Sequence, residues 1–197
     1  MREFVDGLTE SIAELARQRS LTVTAHIAEG VTTIEADRDK LEKICLNLLF
    51  NAIKFTPEFG RIHLAVRFED DALVWTFKDT GIGIPAERLP MIFERFWQED
   101  TSTKKKHPGT GIGLALVKEL TEAMGGRVVA QSEPNQGTVV SVSLPQRNPV
   151  AASLHDEDAW LEPVQPTKLV RPAETPAGDA EATDWLFNLY REAEFSP

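Results

Sequence analysis

Asn47, Asn51 and Lys54 have the side-chain types and the spacing to meet a metal–phosphate ligand. An amide oxygen can ligate a hard cation such as Mg2+, and a lysine one turn on can meet a phosphate as a point charge. On a helix each residue advances about 100°, so with Asn47 at 0° Asn51 falls at roughly 40° and Lys54 at roughly −20°. Leu41, Ile44, Cys45, Leu48, Leu49, Ala52 and Phe55 then fill an arc from roughly 60° to 200°, a broad core face beside a narrow polar stripe. Such a stripe is commonly no more than a solvated face. Asparagine, however, is a poor helix-interior residue, and two of them one turn apart cost stability without some return.

Two glycine-rich loops offer complementary chemistry. Asp79-Thr80-Gly81-Ile82-Gly83-Ile84-Pro85 follows an alternating stretch that ends at Phe77. A carboxylate at a strand end can accept from the exocyclic amine of adenine, and glycines let backbone approach a flat ligand; alone, the pattern is often just a turn. Gly109-Thr110-Gly111-Ile112-Gly113-Leu114 opens a helical pattern continued by Val117, Leu120 and Met124. A glycine-rich turn feeding a helix start presents free N–H groups and the positive end of the dipole to phosphate oxygens. Its glycines follow a polar loop rather than a strand and lack the G-x-G-x-x-G spacing, so a Rossmann site fits poorly; no Walker A motif occurs. Between the loops lies Phe93-Glu94-Arg95-Phe96-Trp97-Gln98, then a polar run to Pro108 with Lys104, Lys105 and Lys106. A polar loop of this length beside a phosphate site reads as a lid, with Phe93, Phe96 and Trp97 expected in local core.

These residues need elements to hold them. Helical spacing over 3–19 comes first, then two β-rich stretches at 21–27 and 31–36. Asp37 is placed to cap a long helix to about Phe55. Strands are expected over 62–68 and 73–77 with a turn at Glu69-Asp70-Asp71, a second helix over 113–124, and closing strands over 127–132 and 138–144. Strands in hairpins with helices that must all cover them point to an α/β two-layer sandwich, a mixed sheet of about five strands with three helices on one face. Composition changes near Leu144-Pro145: half of the twelve prolines lie beyond it. The expected organisation is a domain over 1–147, an acidic Pro-rich linker over 148–182 that is expected to stay disordered, and a short helix or fraying segment over 183–197.

Charge excludes one class. Ten Asp/Glu against three Lys/Arg fall in 148–197, most of the formal −10, so nucleic acid is not an expected partner. The lone Cys45 sits in an apolar pattern, which excludes an internal disulfide and marks a core residue. No apolar run of the ~20 residues a membrane span needs is present. The expected setting is the cytoplasm, with no membrane contact by this chain, although a parent protein could be anchored elsewhere.

Taken in order, the blocks from Asn47 to Pro57, from Asp79 to Pro85, from Ile92 to Gln98 and from Gly109 to Leu114 closely resemble the N, G1, F and G2 boxes of sensor histidine kinases. Gly125-Gly126-Arg127 and Gln136-Gly137-Thr138 look like that family's final strands, and the resemblance covers about residues 3–145. It implies the Bergerat-type sandwich shared with gyrase-like and Hsp90-like ATPases, binding ATP with Mg2+. Position by position, it implies that Asn51 coordinates Mg2+ with Asn47 supporting the metal shell, that Lys54 reaches the phosphates and that Phe55 lies against the nucleotide. Asp79 would read the adenine amine, with Gly81, Ile82, Gly83 and Ile84 forming the loop. Gly109, Thr110, Gly111, Ile112, Gly113 and Leu114 would hold the phosphate tail, and Phe96 would join the nucleotide contacts. Arg95 and Gln98 are candidate γ-phosphate or metal contacts, although many relatives carry a basic residue where Gln98 stands.

In the gyrase-like and Hsp90-like relatives a water-activating glutamate occupies the position of Asn47, and an amide cannot act as a general base. Weak hydrolysis and transfer to a protein histidine are therefore expected, with Asn47, Asn51, Lys54 and Arg95 the catalytic set. None of His26, His63, His107 or His155 matches the family's acceptor pattern, so the acceptor is expected on a separate dimerisation/phospho-acceptor domain, with a response regulator or receiver downstream. The isolated chain is expected to be a monomer. Competing readings are an anti-sigma-type serine kinase and a non-catalytic nucleotide-dependent interaction module.

Overall fold

The computed structural model describes residues 1–97 and 111–146. The lid over 98–110, and with it Gln98, Gly109 and Thr110, lies outside the described residues, as do the linker and terminal segment over 147–197. Three helices and five strands alternate along the described chain: α1 (Arg2–Gln18), β1 (Thr22–Ile27), α2 (Arg38–Phe55), β2 (Arg61–Glu69), β3 (Ala72–Asp79), α3 (Gly113–Ala123), β4 (Arg127–Glu133) and β5 (Gly137–Pro145). A short 3-10 turn, Leu89–Met91, precedes the lid. The strands form one mixed sheet in the order β1-β2-β3-β5-β4, with β1 parallel to β2 and every other pair antiparallel.

Register follows the alternation. Val66 faces Trp75, Trp75 faces Val142 and Val142 faces Val128, so one apolar row crosses four strands. Leu64, Phe77 and Val140 form the next row. The core is built from this face together with Val5, Leu8, Ile12 and Ala16 of α1, the apolar arc of α2 and Val117 of α3. The opposite face carries His63 across from Lys78 and Arg67 across from Val74.

α2 starts as expected: Asp37 Oδ1 accepts from the Lys40 N–H at 3.1 Å. It ends at Thr56, which is extended (φ −91°, ψ 124°) because the following Pro57 excludes the helical region for the residue before it. Its burial exceeds the expected arc. Leu46, Phe50 and Ile53, on the far side of the polar stripe, are also buried, because α1 and α3 pack against α2 as well as the sheet. The polar stripe is therefore enclosed by core on both sides.

The stretch over 31–36 is not a strand. Val31 is buried, but the segment crosses from the edge strand β1 towards α2 and pairs with no strand. Gln146 substitutes for one there: its Nε2 donates to Glu35 O at 2.5 Å and its Oε1 accepts from Glu35 N at 3.2 Å. β propensity supplied the residue types, but the segment leaves the sheet towards α2 and runs along no strand.

Candidate functional site

The α2 stripe is polar and enclosed. Asn47 is 2% exposed and its Nδ2 donates to Lys43 O at 2.7 Å, which satisfies one amide hydrogen inside the helix. Asn51 is half-buried. Lys54 is 8% exposed, with its ammonium 5.2 Å from the centroid of the Phe55 ring. An ammonium so placed at the end of α2 is a point charge that a phosphate can meet.

The loop after β3 docks directly on the end of α2. Ile82 N donates to Phe55 O at 3.1 Å, and a side chain at Gly81 would lie 2.6 Å from that oxygen, so only glycine permits the approach. Asp79 is held at the loop's start: its Oδ1 accepts from Gly81 N at 2.7 Å and from Thr138 N at 3.2 Å. Burial pushes the Asp79 carboxyl above the usual carboxylate range, against the lowering effect of those two N–H groups. Both bonds fall on Oδ1, which leaves Oδ2 to accept from a ligand.

The turn between β4 and β5 completes the loop's surroundings. Gly83 (φ 69°) abuts the carbonyl of Glu133, and Gly137 (φ 88°) abuts that of Asp79, so a side chain at either would run into backbone. Asn135 N donates to Ile82 O at 2.7 Å. Gly137 and Thr138 were read from sequence only as a closing strand. A glycine–threonine pair at a turn says nothing about a carboxylate 59 residues earlier.

At the far rim, Phe96 N donates to Gly111 O at 3.0 Å, bringing the two described ends of the lid together. Gly111 (φ 67°) leaves a would-be Cβ 3.0 Å from Trp97 O. α3 begins at Gly113 behind Ile112, whose side chain makes no cap bond, and a helix start of this kind can offer its N–H groups to an anion. Leu114 packs against the core and Ile112 is exposed. Phe96 departs from expectation: it is 71% exposed with φ 62°, whereas Ile92 beside it fills the local core. Arg95 is engaged with α3, its Nε 2.6 Å from Glu119 Oε1.

The structure thus joins the Asp79 loop to the Lys54–Phe55 end of α2 and sets α3 beside α2. Among the described residues no cluster of His, Cys, Asp or Glu could hold a metal. A hard cation here would have to use amide oxygens and the ligand's own phosphates, and the half-buried Asn51 with the enclosed Asn47 fits that donor set.

Comparison with known proteins agrees with this geometry. A family model described as histidine kinase-, DNA gyrase B- and HSP90-like ATPase matches residues 36–148. The chain is 39% identical over 146 residues to the circadian input-output histidine kinase CikA of Synechococcus elongatus, covering 74% of this chain and 18% of that protein. It is similar to full-length ShkA, solved in complex with AMPPNP, at 33% identity and a TM-score of 0.62, covering 75% of this chain and 31% of the other. The catalytic domain of the histidine kinase ThkA, at 24% identity, shares the fold with a TM-score of 0.65, covering 74% of this chain and 92% of that domain. The chain spans a third or less of the length of the curated relatives it matches first.

Proposed function

The chain belongs to the family of histidine kinase-, DNA gyrase B- and HSP90-like ATPases, and on that premise we propose that it binds Mg-ATP and transfers the γ-phosphoryl group to a histidine on a separate dimerisation/phospho-acceptor domain. The observation that carries the reading is Asp79. Its carboxylate is fixed at a strand end by two backbone N–H groups, one oxygen remains to accept from the adenine amine, and its loop rests on the helix that bears Asn51 and Lys54.

In the transfer, the bond from the γ-phosphorus to its bridging oxygen breaks and a bond to an imidazole nitrogen forms. Lys54 and the α3 start, with Gly111 and Gly113, offset negative charge on the phosphates; Gly109 and Thr110 are the further candidates for the phosphate tail. Asn51, with Asn47 behind it, would hold Mg2+, which would supply charge neutralisation at the phosphates. Phe55 and Ile82 flank the base, Arg95 would reach the γ-phosphate once it leaves Glu119, and Gln98 is a further candidate for that contact. Asn47 separates this reading from water-directed hydrolysis: it is enclosed, donates to Lys43 O and cannot take a proton. The natural partners are then the acceptor domain and a response regulator or receiver, in the cytoplasm. No helix among the described residues is long and apolar enough to cross a membrane.

The test is titration of the full chain with AMPPNP and Mg2+ beside its Asp79→Asn variant. Saturable binding that the variant loses supports the reading, and absence of binding by the parent chain overturns it. Phosphoryl transfer to a histidine-bearing acceptor helix pair should give an acid-labile product. An acid-stable phosphoserine would favour the serine kinase reading instead.

A further inference from the structure

We infer that Ser132 is a positioning residue for adenine recognition: its hydroxyl ties the loop after β3 to the start of β5, and so holds Asp79 in the orientation the base reads. The inference rests on the ATP-binding reading above. Ser132 lies at the end of β4, directly across from Thr138 on β5. Its Oγ accepts from Ile84 N at 2.8 Å, donates to Gly137 O at 2.7 Å and lies 3.0 Å from Thr138 Oγ1. A hydroxyl has one hydrogen to give and two lone pairs to receive with. With that hydrogen on Gly137 O, the Ile84 N–H and the Thr138 hydroxyl fill the two acceptor positions, so every valence of Ser132 is used.

These bonds close a ring. Asp79 opens the loop; Ile84 near its far end is fastened to Ser132; Ser132 is fastened to Gly137 and Thr138; and Thr138 N returns to Asp79 Oδ1 at 3.2 Å. Inside the ring the backbones of Gly83 and Gly137 abut the opposing chain, which allows no slack in the approach. Among the described residues Asp79 has one other anchor, the N–H of Gly81, which is carried by the loop that Ser132 restrains. Without the hydroxyl, the Ile84 N–H and the Gly137 carbonyl lose a partner, and the Thr138 backbone is free to shift away from the carboxylate.

The proposal separates from general stabilisation by its pH signature. The N–H of Thr138 lowers the pKa of Asp79 by favouring its charged form, so losing that bond moves the acid limb of nucleotide binding towards higher pH. Among the described residues, the charged groups around the carboxylate are Lys78 beside it, Glu133 on β4 and Arg61 at the start of β2, with His63 across from Lys78. All of them remain in a Ser132 variant and contribute equally to both proteins.

The experiment is AMPPNP and GMPPNP titration with Mg2+ across pH, on the full chain and on Ser132→Ala, Ser132→Cys and Ser132→Thr. The cysteine preserves volume with a weak hydrogen-bonding sulfur, and thermal melting verifies that each variant folds. The expected result is AMPPNP binding weakened about tenfold in the alanine and cysteine variants, with less preference over GMPPNP, an upward-shifted acid midpoint, and recovery in the threonine variant. Folded alanine and cysteine variants with unchanged affinity would overturn the proposal. So would a loss shared equally by both nucleotides with the midpoint unmoved, which is a purely structural effect. If the parent chain binds no AMPPNP at all, the ATP-binding reading itself falls, and this inference with it.

Discussion

Asp79 carries two demands that pull its ionisation in opposite directions. Its folded-state value is raised by burial, so the folded chain holds the proton more tightly than the unfolded chain. Its contribution to stability is therefore complete below the ordinary carboxylate range and is lost as pH rises through the raised value. Recognition of the adenine amine needs the charged form, so affinity falls as pH falls through the same value. An asparagine keeps an oxygen for the Gly81 and Thr138 N–H groups and removes the buried charge. Asp79→Asn should then melt no lower than the parent at neutral pH while losing AMPPNP; a lower melting point with binding intact would contradict both halves. His63 slopes the other way. Burial, with His26 and Lys78 nearby, lowers its folded value, and its Nδ1 meets Thr24 Oγ1 at 2.9 Å. Stability is complete above the ordinary histidine value of about 6.5 and is lost as pH falls through the lowered one. Melting should therefore decline between about pH 7 and about pH 5 by less in a His63→Gln variant than in the parent. Identical declines would exclude His63 as a contributor.

At the scale of elements, backbone conformation decides what glycine is for. Gly7 lies on the exposed side of α1 with nothing near a would-be Cβ, so Gly7→Ala should stabilise the chain by about 0.5–1 kcal/mol in urea unfolding. Gly83 and Gly137 combine left-handed φ with opposing backbone in contact, and alanine at either should destabilise by more than about 1 kcal/mol and weaken AMPPNP binding. Equal effects at all three sites would mean the hairpin does not support the loop. Packing gives a second contrast. Trp75 is fully buried at the centre of the sheet, with the Phe4 ring of α1 edge-on at 5.8 Å, and its indole N–H has no hydrogen-bond partner. Trp75→Ala should cost about 3–5 kcal/mol. Trp75→Phe should cost much less, because it removes the unsatisfied N–H along with part of the volume.

At the scale of the whole molecule, the two described histidines sit on strands. His26 and His63 lie on β1 and β2, neither on a helix where the family's acceptor sits. Incubation of the chain with ATP should give no acid-labile phosphoprotein until an acceptor helix pair is added, as phosphate labelling would show. A chain cut after residue 147 should bind AMPPNP as tightly as the full chain; a clear loss would place part of the site beyond the domain. The sequence alone determined the three helices, the alternation that sets the buried face of the β2–β3 hairpin, and the order of the site boxes. Each depends on local periodicity, capping and turn chemistry, as Asp37 and the Leu64–Phe77 and Val66–Trp75 rows illustrate. It also marked Asn47, Asn51, Lys54 and Asp79. Tertiary structure alone decided the enclosure of the α2 stripe, because burial of Leu46, Phe50 and Ile53 depends on two flanking helices that no periodicity within α2 can announce. The same holds for the failed strand over 31–36, which crosses towards α2 instead of joining the sheet, and for the exposure of Phe96. It holds above all for the hold of Ser132 and Thr138 on Asp79, since hydrogen bonds between segments some fifty to sixty residues apart form only once the sheet brings β3 and β4 to opposite sides of β5.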